Sequence, residues 1–313
     1  MSTPEEKPEV PPNIEQPIIA VPEWVVPQAL ARAPETFAPA PKENAFPLEQ
    51  ALAPQQPDVP AELRVVWGWS DVVIFAMFYL GSTVAVGVIL LLLLAGILHQ
   101  GVTALANNDL IRANVAIIAQ AIASGLALLY FWLMVRLRNG GPFWAALGWQ
   151  PFASAEAGKR SPVPLYLGCG LGLAVVVSLL SKFVSQQQAL PIEELFQTRE
   201  TIILLMVFGI LVAPLVEETI FRGFFYPVVA RSFGVLAGIL VTGTLFGMSH
   251  AAQLWGGWGQ IGLLVGVGVV MTWVRVRRHT VLASYLLHVA YNTTLFAGFV
   301  IATGGLRHLS AGS

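Results

Sequence analysis

Two acidic residues stand side by side in an otherwise apolar stretch, Ala213-Pro214-Leu215-Val216-Glu217-Glu218-Thr219-Ile220-Phe221-Arg222-Gly223, and no other acidic residue follows Glu200. A charge at the centre of a bilayer costs about 2.5–3.5 kcal/mol on insertion scales, so such a pair needs compensation and reads by default as functional. On a helix, Glu218 and Arg222 share a face at i, i+4, with the acid N-terminal in the favourable sense. Glu217 is turned about 100° away and has Phe221, not a base, at its own i+4 position. Glu218 is therefore the candidate for a structural ion pair, and Glu217 is left as the reactive carboxylate. Two further polar groups follow in apolar surroundings: Phe246-Gly247-Met248-Ser249-His250, and His288-Val289-Ala290-Tyr291-Asn292, with His288 and Asn292 at i, i+4. A carboxylate with an imidazole is a workable base for water. Hydrogen-bond donors held in a dry pocket stabilise a developing oxyanion more than they would in water.

The elements that must position these groups are membrane helices. Of 313 residues, 56% are hydrophobic and 11% charged, with mean hydropathy +0.69. A soluble domain carries about a quarter of its residues as charges. Apolar stretches of about 20 residues, enough to cross a hydrocarbon core, recur from Val72 onward. The fold class expected is all-α: a polytopic transmembrane bundle of about seven helices, with eight allowed, behind a disordered N-terminal tail. The helices read as roughly 71–98, 113–135, 163–184, 202–230, 235–255, 259–274 and 280–302. Pro214 and Pro227 predict a kink or break in the fourth. Residues 190–200 are amphipathic and suit the membrane surface. Gly168 with Gly172, and Gly262 with Gly266, suit close helix packing.

Residues 1–66 differ from the rest: they hold 14 of the 21 prolines and ten of the 18 acidic residues, against four basic ones. Proline at that density predicts a disordered, partly extended tether, with Trp24-Val25-Val26 as a short apolar island able to dock a partner. The expected organisation is a tail (1–66), N-terminal membrane helices (67–190), a catalytic core (191–306) and a short C-terminal tail (307–313). The first apolar run lacks a cleavage pattern and reads as a retained anchor.

Arg136, Arg138, Lys159, Arg160, Arg231, Arg275, Arg277 and Arg278 fall in connections on one side, which the positive-inside rule assigns to the cytoplasm. That predicts a plasma-membrane protein with a cytoplasmic N-terminus. The net charge of −1 argues against a nucleic-acid partner. The lone Cys169 allows no intrachain disulfide and reads as a packing residue. His99, His279 and His308 fall at helix ends or in loops, where interfacial hydration accounts for them. A rise of 1.5 Å per residue puts Glu217 and His250 each about 22 Å along their helices, and His288 about 12 Å, so a common pocket near the midplane is allowed.

The three segments resemble the motifs of the CPBP family, the CAAX-protease and bacteriocin-processing (Abi) intramembrane proteases. The family pattern, EExxxR, FxxxH and HxxxN or HxxxD on successive helices, reads here as Glu217-Glu218-x-x-x-Arg222, Phe246-x-x-x-His250 and His288-x-x-x-Asn292. The likeness spans about residues 195–303. It implies an endopeptidase, acting on a membrane-embedded or membrane-tethered peptide of CAAX-like kind, in which Glu217 and His250 activate water. It further implies that His288 and Asn292 stabilise the oxyanion while Glu218, Arg222 and Phe246 support the site. Two cofactor readings stand together. Glu217, His250 and His288 could hold zinc with one open position, although no HExxH helix is present. A metal-free glutamate–histidine mechanism suits the same residues. The alternatives to an enzyme are a catalytically silent scaffold or immunity-type protein of the same fold, which could lose Glu217 or His250, and an ion-coupled transporter, against which stands the absence of an internal repeat.

Overall fold

The computed structural model describes residues 60–138, 141–152, 161–184 and 199–302. The tail as far as residue 59, the amphipathic segment's residues up to 198, Lys159, Arg160, His308 and the C-terminal tail lie outside the described residues.

Seven principal helices follow one another with no strand among the described residues: α1 (Trp69–Leu98), α2 (Asp109–Arg138), α3 (Val163–Ser181), α4 (Thr201–Phe233), α5 (Val235–Ser249), α6 (Trp258–Arg278) and α7 (Val281–Ala302). All but α5 are long and apolar enough to cross a membrane. Exposed Met77, Leu80, Val84 and Ile97 along α1 show where the apolar surface goes: outward, as a bundle in lipid requires. Charged groups on the inner side find partners across helices. Asp71 of α1 is buried and bridged to Arg138 of α2 at 2.7 and 3.0 Å. Phe75 stacks on Phe131 with ring centroids 4.5 Å apart, and Phe224 lies tilted against Phe131 at 4.8 Å, joining α1, α2 and α4.

Helix α4 does not break at its prolines. It widens before each of them into a π-helical turn, Phe208–Val212 ahead of Pro214 and Thr219–Phe225 ahead of Pro227. Proline cannot donate to the carbonyl four residues back and its ring crowds that oxygen. For Pro214 and Pro227 those carbonyls belong to Ile210 and Gly223, both inside the widened turns, and the wider turn relieves the clash while the helix continues. Glu217 and Glu218 lie in the short α-helical turn between the two, Ala213–Glu218.

The fifth helix is shorter than the apolar run suggests. It ends at Ser249, not near 255, and His250 is its C-cap. At 15 residues it is about 22 Å long, below the roughly 30 Å of a bilayer core. Hydropathy continues past 249, but the His250 side chain caps the Phe246 carbonyl and ends the helix there. Close packing also uses other glycines than those expected. A Cβ at Gly168, Gly172, Gly262 or Gly266 would meet nothing within 4 Å. Tight approaches include Gly170, which faces the Leu287 carbonyl of α7, Gly223, which faces the Leu147 carbonyl, and the seam between α5 and α6. There a Cβ at Gly243 would lie 2.6 Å from the Val269 amide, and one at Gly268 would lie 2.6 Å from the Gly243 carbonyl. Spacing marks a face as small; only the fold decides which face meets a neighbour.

Candidate active site

The site is built outward from Arg222. This side chain is fully buried on α4, and each guanidinium nitrogen has a partner: Nη1 donates to Glu218 Oε1 at 3.0 Å, Nη2 to the Gly268 carbonyl at 2.9 Å, and Nε to Thr272 Oγ1 at 3.2 Å. Its cationic face lies over the Phe246 ring, 4.5 Å from the centroid. The i, i+4 pair legible in the sequence is thus formed in a dry setting, with Glu218 also fully buried.

Glu218 does a second thing. Its Oε1 accepts from His288 Nδ1 at 3.0 Å, reaching from α4 to α7. A carboxylate only accepts, so the Nδ1 proton is fixed on His288 and Nε2 is presented to the other side. There it lies 3.7 Å from Glu217 Oε2. The Glu217 side chain keeps 27% of its surface exposed, against none for Glu218. Adjacent carboxylates have therefore been separated into a closed, paired one and an accessible one.

Phe246 ties the two histidines together. Its ring sits 5.2 Å from that of His250 and 5.6 Å edge-on from that of His288, with Phe221 edge-on at 5.5 Å. His250 is partly buried, and its Nδ1 faces the Phe246 carbonyl at 3.0 Å. In the tautomer that donates this bond, the basic lone pair is on Nε2. Asn292 uses its amide differently from the resemblance's implication: Nδ2 donates to the Gly209 carbonyl at 2.7 Å, inside the first π-helical turn. One N–H of the amide remains after that bond.

Of the residues singled out from sequence, Glu217, Glu218, Arg222, Phe246 and His288 form one contiguous cluster. His250 joins it through Phe246, and Asn292 sits one turn from His288 while bonding to α4. Sequence reasoning missed Thr272 and Gly268. A buried threonine in an apolar helix, four residues after a glycine, was the available sign, but only the fold puts it beside Arg222.

Among the described residues, no group of three or more His, Cys, Asp or Glu side chains is gathered to hold a metal ion. The Nδ1 atoms of both histidines are engaged, as is usual in zinc ligands that coordinate through Nε2, but Glu217, His250 and His288 are not gathered around one point that would serve as a zinc centre. The placed donor set does not fit the metal, and no step below passes through one.

The fold and this site define an integral membrane protein of many α-helices with an ionisable cluster enclosed by its C-terminal helices. Residues 199–294 match the family described as Rce1-like, type II CAAX prenyl endopeptidase Rce1-like, consistent with the CPBP family whose motifs the segment carries. That family points to a peptidase of the CAAX-protease kind. No curated protein and no solved structure matches the chain.

Proposed function

We propose that the protein is an intramembrane endopeptidase that hydrolyses a peptide bond of a membrane-embedded or membrane-tethered substrate, of CAAX-like kind, with Glu217 as the base for water. The observation that carries this reading is the division of the acidic pair: Glu218 is locked by Arg222 and His288, while Glu217 stays accessible 3.7 Å from His288 Nε2. A base must reach both water and solvent-borne protons, and the fully buried Glu218, with Oε1 shared by Arg222 and His288 and Oε2 closed off without a partner, cannot.

In this mechanism Glu217 takes a proton from water as the oxygen attacks the peptide carbonyl, and passes that proton to the leaving amine as the C–N bond breaks. His250, with Nδ1 turned to a carbonyl, contributes Nε2 as the second proton acceptor. His288 and the spare N–H of Asn292 face the charge that develops on the carbonyl oxygen. With His288 protonated, Glu217, Glu218, Arg222 and His288 sum to zero charge, which suits a site withdrawn from water. The cytoplasmic N-terminus belongs to the same proposal, supported by Arg138, Arg231, Arg275, Arg277 and Arg278 gathering at one set of helix ends, and a plasma-membrane location is proposed with it. The fourfold organisation into tail, N-terminal helices, catalytic core and C-terminal tail is also part of it.

The test compares wild type with Glu217→Gln by quantitative proteomics of membrane protein termini, followed by turnover of the identified peptide in reconstituted vesicles. Loss of general-base catalysis lowers the rate by about 10²–10⁴-fold. If every cleaved terminus persists in cells carrying the inserted variant, the endopeptidase reading fails and a scaffold of the same fold replaces it.

A further inference from the structure

Three part-exposed polar side chains share one region of the apolar span, and only one of them belongs to the motifs. Glu217 is the first. The others are Tyr79 of α1 and Gln120 of α2, both half-buried and both outside the family-matched residues 199–294. Gln120 Nε2 donates to the Tyr79 hydroxyl and so joins the two helices through their side chains.

Helix packing brings this pair to the acidic turn. On α2, Ile117, Gln120, Ser124, Ala127 and Phe131 follow helical spacing along one face, and α2 packs against the turn Ala213–Glu218. Ala127 and Phe131 share a cluster with Val216, the residue before Glu217, and Tyr79 packs against that cluster from α1. The Tyr79 hydroxyl lies within electrostatic range of Glu217. The Ser82 and Thr83 hydroxyls donate to the Tyr79 carbonyl at 3.0 and 2.8 Å, so they are spent inside α1. The phenol is the polar group that this part of α1 sends to its neighbour.

What the pair leaves open decides what it can hold. The Tyr79 oxygen accepts from Gln120, and its own proton has no acceptor within hydrogen-bond length among the described residues. Ser124 Oγ approaches the phenol from the buried side, but it is closed off and unbonded. Gln120 Oε1 keeps open surface and has no partner among the described residues. One donor and one acceptor are thus presented side by side. Turning the amide over exchanges the two roles and leaves the same complement. Idle polar groups facing hydrocarbon are costly, so the space before them is one that a polar ligand enters.

We propose that Tyr79 and Gln120 form a subsite for the substrate's main chain, binding the N–H and C=O of one extended residue and so laying the peptide across Glu217. The inference rests on the endopeptidase reading and names what that site grips. In an extended strand the N–H and C=O of one residue leave on the same side and are matched by a partner as a pair. Strand addition at a sheet edge uses the same pairing. A membrane-embedded substrate that unwinds for cleavage bares those groups where water is scarce, and a fixed donor and acceptor lower the cost of unwinding. Such a grip reads no side chain, so it favours tolerance of sequence beside the scissile bond.

The experiment uses the full-length chain in nanodiscs and a dansyl-labelled, S-farnesylated peptide of CAAX form, with analogues in which one amide at a time is replaced by an ester. An ester removes the N–H and weakens the carbonyl as an acceptor. Binding is read by fluorescence anisotropy in a Glu217→Gln background, and cleavage separately in the unaltered chain. Tyr79→Phe and Gln120→Leu, each added to that background, are expected to weaken binding of the all-amide peptide about two- to tenfold. Two neighbouring esters cost a similar factor in the background; Gln120→Leu abolishes the cost of one, and Tyr79→Phe that of the other. A variant that merely loosens packing weakens amide and ester peptides alike. Ester costs that persist in both variants, unchanged binding in both, or no binding by the Glu217→Gln chain overturn the subsite. Should Gln120→Leu fail to fold, Tyr79→Phe, which keeps the ring stacked on Phe75, decides. An uncut peptide whose binding follows the ester pattern leaves the subsite standing and removes the endopeptidase. A cut peptide that ignores the pattern does the reverse.

Discussion

Replacing Arg222 by methionine keeps most of the side-chain volume and removes the charge that the buried acid depends on. Three bonds disappear, to Glu218, Thr272 and the Gly268 carbonyl. The last two groups keep each other, because Thr272 Oγ1 already donates to Gly268 at 2.7 Å. The loss is therefore dominated by Glu218, left buried with only His288 as a partner. Breaking a buried pair by removing one member costs about 3–5 kcal/mol. Adding Glu218→Gln to the methionine variant removes the stranded charge, so the double variant is more stable than the sum of the single losses predicts by at least about 1 kcal/mol. The assay is a double-mutant cycle on reversible unfolding in lipid–detergent micelles. Losses that add within about 0.5 kcal/mol, or a single-variant cost below about 1 kcal/mol, would refute the view that this pair is the site's dry foundation.

Gly268→Ala drives a methyl toward the Gly243 carbonyl and the Phe246 ring, whose nearest carbon would be 3.0 Å away; it costs about 1–3 kcal/mol and, by displacing Phe246, lowers turnover more than binding. Thermal unfolding and the kcat and KM split on a cleaved peptide check it. Asn292→Ala leaves the Gly209 carbonyl without its donor, a loss of about 1–3 kcal/mol in stability. Asn292→Asp, which as a carboxylate cannot donate and brings a charge against that carbonyl, should cost at least as much in unfolding assays; an unchanged midpoint in both would show that α7 does not brace the π-helical turn. Chelation of the purified, reconstituted protein leaves turnover unchanged, whereas an equivalent of zinc by elemental analysis together with inactivation by chelator would overturn the metal-free reading.

Much of the site was legible because lipid makes polarity expensive. Glu217, Glu218, Arg222, His250, His288 and Asn292 stand out against apolar neighbours, and helical spacing alone paired Glu218 with Arg222. The helices were legible for the same reason, since hydropathy over about 20 residues is a sum that a few substitutions cannot hide. Spacing within one helix says nothing about rotation against the next. Hence the sequence could not show that His288 leans on Glu218, that Asn292 bonds to Gly209, or that Gly170 and Gly268, not Gly168 and Gly262, are the close-packed positions. Nor could it show that α5 stops at a histidine cap, because hydropathy does not register a side chain folding back on the carbonyl four residues before it.

Composition and order thus determined a helical membrane bundle carrying a few charged groups that must find one another. Which oxygen meets which nitrogen was decided only when α4, α6 and α7 packed, because those contacts depend on sub-turn rotations set by Gly243, Gly268 and the two prolines of α4. The same packing set Tyr79 and Gln120 beside the acidic turn, a placement carried by no motif and visible only where α1 and α2 meet α4.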